Sequence, residues 1–362
     1  MKVIFDSIIF SLQKQGGISI YWKELSKRFS NDKTFDFENI LYKNSNNNPN
    51  YTEISYCKHT NYNNKIFVNL LRFLPFIKKI KYKTIFHSSY QNFLLSNKAI
   101  NVITIHDLGY ERKISQTGLR RLVNLIFKYF AIINADGIIC ISEFTKNELL
   151  KFYKLKYKKI NVIYNGVSND YFVLQKKIKP LFNFTDKYIL YVGTRYKYKQ
   201  FSLALDVMNR LPNYYLVIAG GPKLSDKEKE LIEKKISLKY HHFESPTTEE
   251  LNNLYNHSHA LLYLSKYEGF GIPLVEAMKS GCPFIGLTCA SIPEISGPAG
   301  ILIDDNSDNI IDEIVNAIKN LEEENYRNKI IEIGIERSKL FSWNLCFEKT
   351  KEFYLYLYNN KN

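Results

Sequence analysis

Glu268 and Glu276 stand with seven residues between them, around the run Gly269-Phe270-Gly271-Ile272-Pro273. The apolar residues 260–264 read as a short buried strand, and Leu274, Val275, Ala277 and Met278 carry a helix after the loop. Gly269 and Gly271 let the backbone turn and approach a ligand with no Cβ in the way. Pro273 suits a first helical turn, so the helix offers free N–H groups and a positive dipole end to the loop. In outline that is an anion site. Two carboxylates near a helix start can equally be caps or solvated surface. The glycine loop at the carboxyl end of a strand favours the ligand, because open α/β sheets bind theirs there.

Three other turns hold residues with chemistry in them. Arg195 and Lys199 lie between an apolar strand, residues 188–193, and a helix starting near Phe201. Two cations there suit a diphosphate, or are simply solvated. His106 and Asp107 follow the strand-like residues 102–105, where a histidine is either structural or turned to a ligand. Gly16 and Gly17 separate a first strand, expected over residues 2–10, from a helix expected near Tyr21. A glycine pair is a weak phosphate signal, and G-x-G-x-x-G is absent there, which disfavours a nicotinamide oxidoreductase.

Strands alternate with helices along the chain, which implies α/β domains with parallel sheets covered on both faces. Ser142 is the expected N-cap of a helix opening at Glu143. Residues 44–64, rich in Asn, Tyr and Ser, read as an irregular loop, and residues 172–186, with Pro180, as a linker. Phe341-Ser342-Trp343 precedes a last aromatic helix. The domains expected are 1–171, then 187–340 after the linker, with 341–362 as a terminal helix.

The chain has 362 residues, 45% hydrophobic and 15% aromatic, enough for two globular cores. An acid at Asp6 argues against a signal peptide, and no run approaches the ~20 apolar residues of a membrane span. Five scattered cysteines without a C-x-x-C pair point to reduced thiols and a cytoplasmic protein. No His and carboxylate cluster has metal-ligand spacing, so no metal is expected. The formal charge is +14, and residues 1–172 hold 26 Lys and Arg against 12 Asp and Glu. A basic half fits nucleic acid, an anionic membrane or an anionic substrate.

Glu-x7-Glu around that glycine loop resembles the signature of retaining, nucleotide-sugar-dependent glycosyltransferases of the GT-B fold. The likeness is to the family 4 kind, which includes bacterial mannosyltransferases and O-antigen or capsule enzymes. It continues through Gly281-Cys282-Pro283 and Ser291-Ile292-Pro293-Glu294 to Gly300-Ile301-Leu302-Ile303-Asp304 in the family's order, and it covers nearly the whole chain. The resemblance implies two Rossmann-like domains facing across a cleft, the first on the acceptor side, the second holding the nucleotide sugar. It implies a terminal helix crossing back to the N-terminal domain. It assigns Gly16 and Gly17 to the donor diphosphate, His106 to the donor sugar, and Arg195 and Lys199 to the leaving diphosphate. Thr194 intervenes where the family's commonest form has the Arg directly after the Gly. Glu268, Gly269, Phe270, Gly271 and Ile272 would hold the donor sugar, and Glu276 the ribose hydroxyls. The nucleotide sugar is then a co-substrate and no cofactor is implied.

The acceptor implied is a glycan or lipid-linked glycan of surface polysaccharide synthesis. Residues 65–83 hold six cations, eleven large apolar residues and no acid, and residues 119–130 interleave the same types. They are expected as two helices, packed on the first sheet or resting on an anionic inner membrane. A GT-B phosphorylase or epimerase is the competing enzyme. A basic nucleic-acid-binding protein is the competing class, though no recognition motif accompanies the charge.

Overall fold

The computed structural model describes all residues except 14–15, 43–47, 55–56, 63–67, 115–116, 156–157, 176–177, 182–186 and 362. By internal contacts the chain forms two units, Met1–Gly166 with Trp343–Asn362, and Val167–Ser342. Each is built on one parallel sheet. Runs such as Val3-Ile4-Phe5 and Leu216-Val217-Ile218 are fully buried, as strands covered on both faces must be.

The first sheet contains β1 (Lys2–Asp6), β2 (Asp36–Tyr42), β3 (His59–Tyr62), β4 (Thr84–Ser88), β5 (Ala99–Ile105), β6 (Gly137–Cys140) and β7 (Lys159–Val162). Their spatial order is β3-β2-β1-β4-β5-β6-β7, every pair parallel. The order reverses between β1 and β4, where Lys2 lies between Asp36 and Thr84. Phe5 anchors the core under the helix Gly17–Asn31, edge-on to Trp22 at 5.0 Å and Phe29 at 5.4 Å. The last helix, Trp343–Asn360, buries Trp343, Phe347, Phe353, Tyr354 and Leu357 in the same core. Gly137 makes room for it, since a Cβ there would come within 2.4 Å of Leu357 Cδ1.

The second sheet contains β8 (Tyr188–Val192), β9 (Tyr215–Ala219), β10 (Tyr240–Phe243), β11 (Ala260–Tyr263), β12 (Phe284–Leu287) and β13 (Ile301–Ile303). Its order is β10-β9-β8-β11-β12-β13, also parallel, reversing between β8 and β11. The helix Thr248–His257 presents Asn252, Asn253 and Asn256, whose side-chain oxygens accept the amides of Phe172, Leu181 and Leu174. These hold the described part of residues 172–186 on the second unit. Residues 176–177 and 182–186 of that expected linker lie outside the described residues.

Several local expectations change. The first strand ends at Asp6, because a short helix, Ile9–Leu12, follows at once, and the next helix starts at Gly17 rather than near Tyr21. Among the described residues of 44–64, β3 is a strand, its polar sequence tolerated at the sheet edge beside β2. The stretch 65–83 is not one helix. Among its described residues only Val68–Leu71 is helical, Pro75 prevents continuation, and Phe76 bridges to Leu94. The helix at 119–130 is real, as Gly118–Asn134, but its outward face is apolar: Leu119, Leu122, Ile126, Tyr129, Phe130 and Ile133 are exposed. Asn124 and Lys128 are buried instead, Asn124 accepting from Tyr90 Oη at 3.2 Å and Lys128 lying 2.9 Å from Glu111.

Candidate functional site

In the second unit the residues of interest gather where the sheet order reverses. Gly193 to Lys199 follow β8 and Ser265 to Gly271 follow β11, at the carboxyl ends of the two neighbouring strands. This crevice is the ordinary ligand position of an open parallel sheet. Gly193 (φ 115°), Gly220 (φ 86°) and Gly221 (φ 78°) crowd together in left-handed geometry. A Cβ on Gly221 would lie 3.1 Å from Gly193 O, so bare backbone is needed there. The Lys266 amide donates to Tyr198 O at 2.8 Å and ties the two loops.

Lys199 Nζ lies 2.9 Å from Glu268 Oε1, both side chains mostly buried. A cation and a carboxylate are thus held side by side at the crevice. Ser291 Oγ donates to Glu268 O and Phe270 O, each at 3.0 Å, and fixes the glycine loop. Gly271 adopts φ 97° as N-cap of the helix Ile272–Lys279, with Pro273 in the first turn. Phe270 is buried, edge-on to Phe341 at 5.6 Å. The loop therefore reaches the helix already shaped, with the helix dipole behind it.

Glu276, one turn into that helix, accepts from Tyr255 Oη at 2.9 Å and is also bonded by Tyr171. Burial pushes its carboxyl up to about 7, against the two tyrosine bonds that pull it down. It is a carboxylate on the verge of protonation at neutral pH, with acceptor capacity to spare.

Arg195 is placed differently from expectation. Its side chain is almost wholly buried, with Nε 2.7 Å from Glu228 Oε1 and Nη2 donating to Pro222 O at 2.5 Å. Glu228 also caps its helix in a reciprocal box with Ser225 and is held down to about 2, its burial outweighed by the Arg195 bond and the bonds from Ser225. The guanidinium braces the Gly220-Gly221-Pro222 loop, and its donors are spent on that loop and on Glu228. Lys199 and Arg195 are not an equivalent pair of free cations.

In the first unit a cavity of about 350 Å³ opens at the carboxyl ends of β1, β4 and β5, again at the order reversal. His106 lines it, edge-on to Tyr21 at 5.1 Å, with its Nε2 buried and without a partner. Burial, aided by the Lys128 charge, lowers His106 to about 3, so it is a neutral imidazole. Beneath it His87 Nε2 and Tyr21 Oη both meet Thr104 Oγ1, at 2.9 and 3.1 Å. Gly16 caps the helix Gly17–Asn31, whose first turn carries no acid, and Ser19 Oγ donates to Gly16 O at 2.8 Å. Gln13 and Ile18, on either side, line the cavity.

The second unit thus brings Lys199, Glu268 and the loop to Ile272 together, whereas in the first unit His106 lines the cavity and Gly16 and Gly17 start the helix that carries Tyr21, the ring His106 meets. Sequence reasoning missed Glu228, Tyr171, Tyr255, Gly221 and Gln13. The Ser225-x-x-Glu228 capping box was a readable signal for the first. The two tyrosines reach Glu276 from distant segments and left no local sign.

Residues 174–337 match the family model of the glycosyl transferases group 1, and residues 15–171 that of glycosyltransferase family 4. O-antigen chain mannosyltransferase B of Escherichia coli is 27% identical over 235 residues, 60% of each chain. An uncharacterized glycosyltransferase of Methanocaldococcus jannaschii is 27% identical across 98% of each. Among solved structures, sucrose-phosphate synthase from Thermosynechococcus elongatus matches over 99% of each chain, with a TM-score of 0.72 at 17% identity. HepE of Anabaena in complex with UDP-glucose matches with a TM-score of 0.72 at 13% identity, over 98% of this chain and 99% of that one. At such identities these two likenesses concern the fold.

Proposed function

Because the chain belongs to the glycosyltransferases, with a family 4 domain followed by a group 1 domain, we propose that it is a retaining, metal-independent hexosyltransferase. It would move a hexose from a GDP- or UDP-linked donor to a hydroxyl of a glycan or lipid-linked glycan in surface polysaccharide synthesis. The observation that carries the reading is the Lys199–Glu268 pair beside the glycine loop, at the order reversal of the second sheet. The O-antigen role named for the E. coli relative supports the substrate class.

In this reading the barrier is departure of the diphosphate from an oxocarbenium-like carbon. Lys199 and the helix end behind Gly271 stabilise the growing negative charge. Glu268 and the loop amides orient the sugar, and Glu276 accepts the ribose hydroxyls. Arg195 acts one step back, by holding the Gly220-Gly221 backbone against Gly193. Gly16 and Gly17 add amides of a helix N-terminus for phosphate. His106, uncharged, offers a hydrogen bond to a sugar hydroxyl rather than a proton to the reaction. The first unit's cavity receives the acceptor.

Nucleoside diphosphate release from a panel of GDP- and UDP-sugars, in excess chelator, tests the reading. Release from one donor class and an α-configured product from an α-configured donor are expected. No release from any donor, or strict dependence on added manganese, would overturn the corresponding part.

A further inference from the structure

Resting on the acceptor reading just given, we propose that the first unit's cavity selects an acceptor bearing an oxyanion, a phosphate or a carboxylate, and that Arg72 is the residue that reads it. Arg72 follows the short helix Val68–Leu71 and lies on the cavity wall. Its guanidinium carbon stands 4.4 Å from the Phe73 ring centroid and 5.4 Å from that of Tyr90. The two rings lie within cation–π range of it. Its Nε is buried and has no hydrogen-bond partner, and among the described residues no carboxylate pairs with it.

Among the described residues the other cation of the wall, Lys128, is paired, and the wall's one carboxylate faces solvent. Lys128 Nζ lies 2.9 Å from Glu111 Oε1 and donates to Asp107 O at 2.9 Å. The Asp107 carboxylate accepts the Gly109 amide at 2.8 Å and is exposed. Arg72 therefore stands as the lining's unpaired cation, with N–H groups in a planar fork that matches a phosphate or carboxylate edge.

Three more unpartnered polar atoms line the same cavity: Gln91 Oε1, Gln13 Oε1 and His106 Nε2. Gln91 is 7% exposed, so its carbonyl oxygen is buried without a donor. Amide oxygens accept from hydroxyls, which a sugar supplies in number. A wall with one free guanidinium and two orphaned amide acceptors suits a hydroxyl-rich molecule with a negative charge at one end. At about 350 Å³ the cavity is of small-molecule size.

The test uses the full chain with its active donor and four hexose acceptors: a methyl hexoside, a hexose 1-phosphate, that phosphate esterified to a short isoprenoid, and a hexuronic acid. Wild type should favour the anionic acceptors in kcat/KM, chiefly through KM. Arg72→Gln should lower the anionic-to-neutral ratio by about tenfold or more, and Arg72→Lys should restore part of it. Preference for the isoprenoid ester points to a lipid-linked phosphate, for the free ester to a sugar phosphate, and for the uronic acid to an acidic glycan. A ratio within about twofold of wild type in Arg72→Gln overturns the inference while transfer to the neutral acceptor leaves the function standing. Calorimetric binding of hexose 1-phosphate, lost in Arg72→Gln, supports the inference even if no donor is turned over.

Discussion

At the scale of the residue, Glu276 carries two opposed demands. An unperturbed glutamate ionises near 4.5, whereas this one does so at about 7. Between those values the folded chain holds a proton that the unfolded chain lacks. The group's contribution to stability is therefore full below about 4.5 and is lost as pH rises through about 7, by at most roughly 3 kcal/mol. A ribose that donates two hydroxyls prefers the carboxylate, so donor affinity should run the other way and strengthen above pH 7. Glu276→Gln is expected to unfold later than wild type at pH 8, the gain vanishing by about pH 4.5, and to bind donor roughly tenfold more weakly. Denaturant melts across pH and donor calorimetry read both. Identical melts at every pH would remove the buried-carboxylate account.

Lys199 and Arg195 separate at the same scale. Lys199→Ala should lower kcat by about two orders of magnitude with donor affinity changed only a few fold, since its charge matters most when the diphosphate departs. Arg195→Ala should instead cost about 2–3 kcal/mol of stability, because Glu228 and the Gly220–Pro222 carbonyls lose their partner. If Arg195→Ala melts like wild type and Lys199→Ala turns over normally, the division of labour is wrong.

At the scale of the element, the last helix is part of the first unit's core rather than an appendage. Trp343, Phe347, Phe353, Tyr354 and Leu357 are each buried, and Tyr354 Oη bonds His87 within it. Five such side chains at roughly 1.5–3 kcal/mol each approach the whole stability of a domain. Deleting residues 343–362 should abolish the first unit's cooperative unfolding transition while the second unit still melts. A truncated chain with two intact transitions would refute this. Gly137→Ala should act in the same direction but less, by forcing Leu357 aside.

At the scale of the whole molecule, the charge and the exposed apolar face fall in the same unit. The helix Gly118–Asn134 contains no acid, and its outward row of Leu119, Leu122, Ile126 and Tyr129 is flanked by Arg120. Phe127 stacks on Phe73 at 4.7 Å, and Leu70 and Leu74, in the same segment as Phe73, are exposed. No described helix is long and apolar enough to cross a membrane. We propose that this face rests on an anionic membrane surface, where cations gain about 1 kcal/mol each and apolar side chains enter the interface. Flotation with anionic liposomes at low salt should carry the wild type, and Leu122→Glu with Ile126→Glu should stay behind. Equal flotation of both, or binding to neutral vesicles alone, would end the proposal.

Much of the second unit was legible because its site is local: Glu268, the glycine loop and Glu276 sit on one strand–loop–helix, and glycine, proline and apolar spacing report local backbone directly. The alternation of strands and helices likewise determined two parallel sheets. Strand order is a long-range property, so only the tertiary structure put β8 beside β11, Lys199 beside Glu268, and His106 into a cavity at the reversal between β1 and β4. Pairing also decided what the charges do. Arg195 and Lys199 read alike as two cations after a strand, but one met Glu228 and the other stayed at the crevice. The helix at 119–130 had a clear apolar period, which says which residues share a face and nothing of which way that face looks. Its direction followed from Asn124 and Lys128 finding Tyr90 and Glu111 inside, contacts that exist only once distant segments have packed.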